Sequence, residues 1–209
     1  MAAAIERASE EADEQLEAIA DLADRYSFGE LRNTHQQNMV LSDVATDDLF
    51  ELWEKLDALG MATPNLGLLT DIVACPGGDL CALANAKSVP VAEGIQRRFD
   101  DMDYVHDLGP LDINISGCMN ACGHHHIGHI GILGVDKKGK EFYQITLGGR
   151  GDKLSRIGEK MGPSFESYEV TDVIEKIINV YVDKRLENEP FIDTYERIGM
   201  EPFKEHVYG

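Results

Sequence analysis

The stretch "ISGCMNACGHHHIGHIGILG", residues 115–134, places Cys118 and Cys122 in a glycine-rich turn, adds three consecutive histidines, and ends in an apolar, strand-like run. The chain has four cysteines in 209 residues, and the other two, Cys75 and Cys81, stand in "IVACPGGDLCALANAKS". The spacings are Cys-x5-Cys and Cys-x3-Cys with no cysteine left over, which points to one shared site. Each pair follows a strand-like segment, from which a sheet can aim ligands. Gly77, Gly78, Gly117 and Gly123 allow backbone N–H groups to approach a bulky inorganic body. Structural zinc sites favour Cys-x2–4-Cys knuckles. Iron–sulfur clusters are held by four thiolates at more varied spacings. The five-residue gap favours a cluster, with zinc as the alternative.

The rest of the composition is consistent with metal-binding rather than disulfide-bonded cysteines. Hydrophobic content is 43%, as in globular proteins. No segment approaches the ~18 apolar residues of a membrane span. The start, "MAAAIERASEEADEQ", lacks a basic region followed by an apolar one. The chain therefore reads as cytoplasmic, where thiols stay reduced. Its formal net charge of −19, from 38 acidic and 19 basic residues, disfavours nucleic acid as a partner.

Around the cysteines the pattern is that of a mixed α+β protein. Leu16, Ile19, Ala20 and Ala23 recur at helical spacing in a helix over residues 5–25. "ELRNT" and "NMVLSDV" are short strands. Leu49, Leu52, Trp53, Leu56 and Leu59 form a stripe on a helix over 47–59, with Thr46 as N-cap and Gly60 as terminator. These elements make a first unit over residues 1–64, and "MATPNLG" marks the boundary with a second over 65–209. There, "LLTDIVA" is a strand leading into Cys75, and a helix is expected from Cys81 to Lys87, interrupted at Pro90 and resuming through Phe99. Leu111, Ile113 and Ile115 alternate as a strand. "HIGILGVD" and "EFYQITLGG" flank a "KKGK" hairpin turn, and a helix over 171–187 turns Ile174, Ile177, Ile178 and Tyr181 inward. Tyr143 and Tyr181 are assigned to the core.

"CPGGDLC" followed by "GCMNACG" resembles the cluster signature of the sirohaem-containing sulfite and nitrite reductases. That family's pattern is Cys-x5-Cys, a gap of a few dozen residues, then Gly-Cys-x-Asn-x-Cys-Gly. Upstream, "GELRNTHQQNMVL" is similar to its Arg-x-Thr-x-x-Gln-Asn segment, and "LGGRGDKLSRIG" resembles its Gly-Gly turn. The likeness runs from about residue 16 to about 205 and covers only the later half of the family's two-halved proteins. It implies a ferredoxin-like half-domain followed by a [4Fe–4S]/sirohaem domain with a mixed sheet and flanking helices. It further implies a cubane on Cys75, Cys81, Cys118 and Cys122, with Cys122 also bridging to the sirohaem iron. Arg32 and Arg150 would face haem carboxylates; Gln37, Asn38 and Asn120 would donate hydrogen bonds to tetrapyrrole or cluster. The implied reaction is six-electron reduction of sulfite to sulfide, or of nitrite to ammonia.

Sirohaem brings eight carboxylates, and a chain at −19 has few cations to offset them. A second copy or a complementary basic half is therefore expected to complete the site. The electron donor would be a ferredoxin or a flavoprotein, reaching the missing half or a local basic patch such as Lys137, Lys138 and Lys140. Lys138-Gly139-Lys140 itself reads as turn chemistry. Strand alternation separates His124, His125, His126 and His129, leaving them structural or beside a haem edge rather than ligating a second metal. Two other functions compete: a [4Fe–4S] electron carrier without tetrapyrrole, and a zinc-stabilised interaction module.

Overall fold

In this computed structural model the backbone is described from residue 2 to residue 209 and side chains from residue 12 onward. The chain divides into two units, residues 1–64 and 65–209.

The first unit opens with α1 (Ala2–Tyr26), then β1 (Leu31–Asn33), β2 (Met39–Leu41) and, after a 3₁₀ turn over Thr46–Asp48, α2 (Leu49–Ala58). α1 stops where Gly29, at φ +72°, lets its N–H return to the Ala23 carbonyl. β1 and β2 form an antiparallel hairpin that pairs Arg32 with Val40. The buried core here is Leu22, Tyr26 and Leu52, with Leu41, Val44, Leu56 and Leu59 against it. Three expectations change. Leu16 is exposed, because α1 buries the Ile19/Leu22/Ala23/Tyr26 face instead. Leu49 and Trp53 are also exposed, Trp53 resting against Phe50 on the outer face of α2. Thr46 caps nothing; it is the first residue of the 3₁₀ turn.

The second unit is a six-stranded mixed sheet in the order β3 (Val73–Ala74), β4 (Ile113–Ser116), β5 (Ile130–Lys137), β6 (Lys140–Leu147), β7 (Glu159–Lys160), with β8 (Phe165–Glu166) also on β6. β3, β4 and β5 are parallel, and β5–β6 is the expected hairpin. All four residues of β4 are buried, as befits a parallel strand covered on both faces. Helices α3 (Val89–Arg98), α5 (Val170–Lys184), α6 (Phe191–Ile198) and α7 (Glu201–Tyr208) share one core with the sheet, and α4 (Met102–Leu108) leads into β4. Ile174, Ile177, Ile178, Tyr143 and Tyr181 are fully buried in that core. The tyrosine hydroxyls donate to the Lys87 and Leu108 carbonyls.

Between Cys81 and Lys87 there is no helix. The amides of Asn85 and Ala86 donate instead to the Gly117 carbonyl at 2.8 and 3.0 Å. Pro90 lies in the first turn of α3, where its missing N–H is harmless, rather than interrupting anything. The strand in "LLTDIVA" is only Val73–Ala74. Among the described residues no helix is long and apolar enough to cross a membrane.

Candidate metal centre

The parallel pairing of Val73 with Asn114 and Ala74 with Ile115 makes β3 and β4 end side by side. Cys75 leaves one strand and Gly117–Cys118 the other, at the same edge of the sheet. The Cys75 N–H still donates to the Ile115 carbonyl at 3.1 Å. Its sulfur accepts the Gly117 N–H at 3.1 Å and lies 3.3 Å from the Ser88 hydroxyl. Both contacts hold the sulfur at the end of the strand.

Close backbone contact then fixes the loops to one another. A methyl at Gly123 would stand 1.9 Å from the Ile115 carbonyl oxygen, and one at Gly117 would stand 2.6 Å from that of Ala86. Gly134 of β5 passes over the same place: its methyl would meet Ala86 Cβ at 2.6 Å and the Gly117 oxygen at 2.9 Å. The 3₁₀ turn over Gly77–Asp79 sends the amides of Leu80 and Cys81 to the Gly77 carbonyl, and Gly78 N–H donates to Ala86. In the second loop Gly123 N–H donates to the Ser116 hydroxyl, and Asn114 donates to the Gly123 carbonyl. Ala121 and His124 adopt left-handed φ of 56° and 54°, which is strained for side-chain-bearing residues, on either side of Cys122–Gly123.

All four thiols are free; Cys75 and Cys118 are buried, Cys81 is half-buried and Cys122 is exposed. Among the described residues no three His, Cys, Asp or Glu side chains close to single-ion distance. Four thiols on two loops that backbone contacts hold to one another, lined by glycines, make a donor set that fits a [4Fe–4S] body.

The histidines diverge. His124 and His126 are exposed; His125 is buried against His126, its Nδ1 without a hydrogen-bond partner among the described residues. Burial, helped by His126, lowers the His125 pKa to about 4, so the ring is neutral. His129 accepts the Asp112 N–H, and burial pushes its pKa down against the pull of Asp112.

The remaining candidates are distributed over both units. Asn120 is exposed in the turn between Cys118 and Cys122. Arg150 pairs with Asp152 at 2.6 Å and Glu196 at 3.0 Å, beside Arg156, so its guanidinium already meets acids of its own chain. In the first unit Arg32 pairs with Glu30 at 2.6 Å. Gln37, at φ 64°, and Asn38 line a cavity of about 660 Å³ together with Met39, Leu41, Leu52 and Met61. Ser88, Asn114, Ser116 and Gly134 were not singled out in the sequence, although they position the cysteine loops. Only Gly134 carried a signal, since a glycine inside a strand marks close backbone approach.

Residues 68–209 match the family described as the nitrite and sulphite reductase 4Fe-4S domain, and residues 9–59 match the nitrite/sulfite reductase ferredoxin-like half domain. A Mycolicibacterium paratuberculosis protein named sulfite reductase [ferredoxin] 2 is 33% identical over 83% of this chain and 33% of its own length. An assimilatory ferredoxin-dependent nitrite reductase of Haloferax mediterranei is 29% identical over 90% of this chain and 33% of its own. The solved structure of the Mycobacterium tuberculosis NirA protein superposes with a TM-score of 0.73 at 29% identity, covering 89% of this chain and 36% of that one. The chain thus spans about a third of the length of the curated relatives it matches.

Proposed function

The chain belongs to the nitrite and sulphite reductase family, and from that premise we propose that it is the cluster-bearing half, or a subunit, of an assimilatory sulfite reductase. Nitrite to ammonia is the sister reaction. The family's cofactors are a [4Fe–4S] cluster and sirohaem. When bound, the pair delivers electrons singly to an anion that needs six of them. Cys75, Cys81, Cys118 and Cys122 would hold the cluster, and Cys122 would also reach the sirohaem iron.

The observation that carries this reading is the side-by-side ending of β3 and β4, with Cys75 and Cys118 at their ends and Gly123 pressed on Ile115. This chain's residues do four things there. The sheet anchors Cys75 and Cys118. Gly117 N–H and the Ser88 hydroxyl hold the Cys75 sulfur in place. The left-handed residues Ala121 and His124 bring the exposed Cys122 outward. His125, neutral and buried, brings no added charge to that loop. The prior engagement of Arg32 and Arg150 by carboxylates supports the need for a second chain or copy to offset the haem's negative charge. A ferredoxin or flavoprotein would supply the electrons.

The test is reconstitution with iron, sulfide and sirohaem, followed by the visible spectrum and by sulfide release from sulfite. Soret and red bands together with turnover are expected. A single broad shoulder without turnover would support the electron carrier instead. Cys122→Ser should abolish reduction while leaving part of the cluster; undiminished sulfite reduction by that variant would remove the bridge.

A further inference from the structure

We infer that the tip of the β5–β6 hairpin is the docking surface for an acidic one-electron donor protein, with Lys137, Lys138 and Lys140 as its contacts. The inference rests on the cluster reading above and adds where electrons enter. The hairpin turns through Lys138 and Gly139, at φ 58° and 78°, with Lys137 and Lys140 as the directly opposed pair. Both choices work against the turn itself. Its first central position favours Asn, Asp or Gly, and like charges placed opposite each other across two strands repel. Lys137 and Lys140 repel across the hairpin, as do Asp136 and Glu141 in the next opposed pair, and an anionic surface that meets the tip from outside offsets the first repulsion.

The tip is also built to stay in place. Gly139 N–H donates to the Asp136 carboxylate at 3.2 Å, and the Lys137 ammonium lies 4.7 Å from the centre of the Phe142 ring. Asp136 and Glu141 are the acids at the tip. Asp136 holds the turn, and Glu141 accepts the Tyr143 hydroxyl at 3.3 Å. Three lysines in four residues are set into a chain of net charge −19. An acidic partner is therefore repelled by the overall charge and attracted here, which fixes its orientation.

The position suits electron delivery. β5 touches the cysteine loops at Gly134, against Gly117 and Ala86. From Gly134 to Lys138 the strand advances about 13 Å at ~3.3 Å per residue. Weak redox complexes bury less than about 600 Å² per partner, a footprint of at most roughly 14 Å radius. A donor centred on the tip is thus about 13 Å along the strand from the place where β5 meets the cysteine loops.

The test uses the full cluster-loaded chain, titrated calorimetrically with a plant-type [2Fe–2S] ferredoxin as the probe. Binding at about 0.02 M salt should weaken about tenfold by about 0.3 M, as the screening length shrinks. Lys138→Asn with Lys140→Gln, which the turn accommodates at least as well, should weaken low-salt binding at least about fivefold and flatten the salt dependence. Lys176→Gln on α5 should change neither. Wild-type affinity in the double variant, an equal loss in the control, or no binding by the wild type would each overturn the inference. In turnover, the double variant should raise KM for ferredoxin and leave methyl-viologen-driven reduction unchanged. If no donor drives turnover at all, the reductase reading fails, while the titration still decides the docking surface.

Discussion

In the second unit Ile113, Ile115, Ile130 and Ile132 are fully buried within a six-stranded sheet, whereas in the first unit β1 and most of β2 lie exposed. The larger core includes four fully buried aromatic side chains, Tyr143, Tyr181, Phe191 and Phe203; among the described residues the smaller has Leu22, Tyr26 and Leu52 at its centre. A two-stranded hairpin is marginal by itself, and here two helices supply its cover. Rigidity is therefore concentrated where the cysteines are. A cluster needs four sulfurs held to fixed positions, and backbone contacts between β3, β4 and β5 give that precision; the open hairpin of the first unit does not need it.

The sharpest way to break this difference is Gly123→Ala. Its added methyl meets the Ile115 carbonyl oxygen at 1.9 Å, and that oxygen is backbone that cannot swing aside, so the loop must leave the sheet. A loss of about 3 kcal/mol or more is expected, together with loss of the cluster's visible absorbance on reconstitution. Ile115→Ala, at a fully buried position, should cost about 2–5 kcal/mol in the second unit, and Leu52→Ala about 2 kcal/mol in the first, where the neighbouring cavity lets the site relax. The sole tryptophan, Trp53, sits in the first unit, so its fluorescence follows that unit while cluster absorbance follows the other. Each variant should move one signal before the other.

Acid should also act on the second unit, which holds both His125 and Glu189. His125 has its folded pKa lowered to about 4 by burial. The unfolded chain therefore binds more protons between pH ~6.5 and ~4, and stability present above pH ~6.5 falls across that window. Glu189 is held down to about 2 by Arg197, with Leu186 N–H and the Thr194 hydroxyl also donating to it. Its contribution is present above pH ~4.3 and is lost as pH falls toward 2. Denaturant midpoints measured against pH should show both slopes; His125→Gln should remove the upper one and Glu189→Gln the lower. The smallest effect is expected at Phe50→Ser, on the exposed face of α2, within about 0.5 kcal/mol.

Much of this architecture could be read from local pattern. The β5–β6 hairpin followed from two alternating runs around "KKGK", and α5 from its isoleucine spacing. Elsewhere tertiary contacts overrode the local signal. Ala82–Lys87 looks helical, yet its amides bind the Gly117 carbonyl, an acceptor over thirty residues away. α6 and α7 were missed as helices even though Pro190 and Pro202 begin them and Gly199, at φ 75°, separates them. At the site, the cysteines were visible because their spacing is unusual. Ser88, Asn114 and Ser116 were not, since a single serine or asparagine says nothing of the backbone it will bind after folding.

Anaerobic reconstitution followed by iron and acid-labile sulfide analysis addresses the thiolate site most directly. One cubane per chain, that is four irons and four sulfides, is predicted, with a reduced-state paramagnetic signal that Cys75→Ser and Cys118→Ser each eliminate. One zinc per chain with no sulfide, or a full complement of iron in both variants, would contradict it.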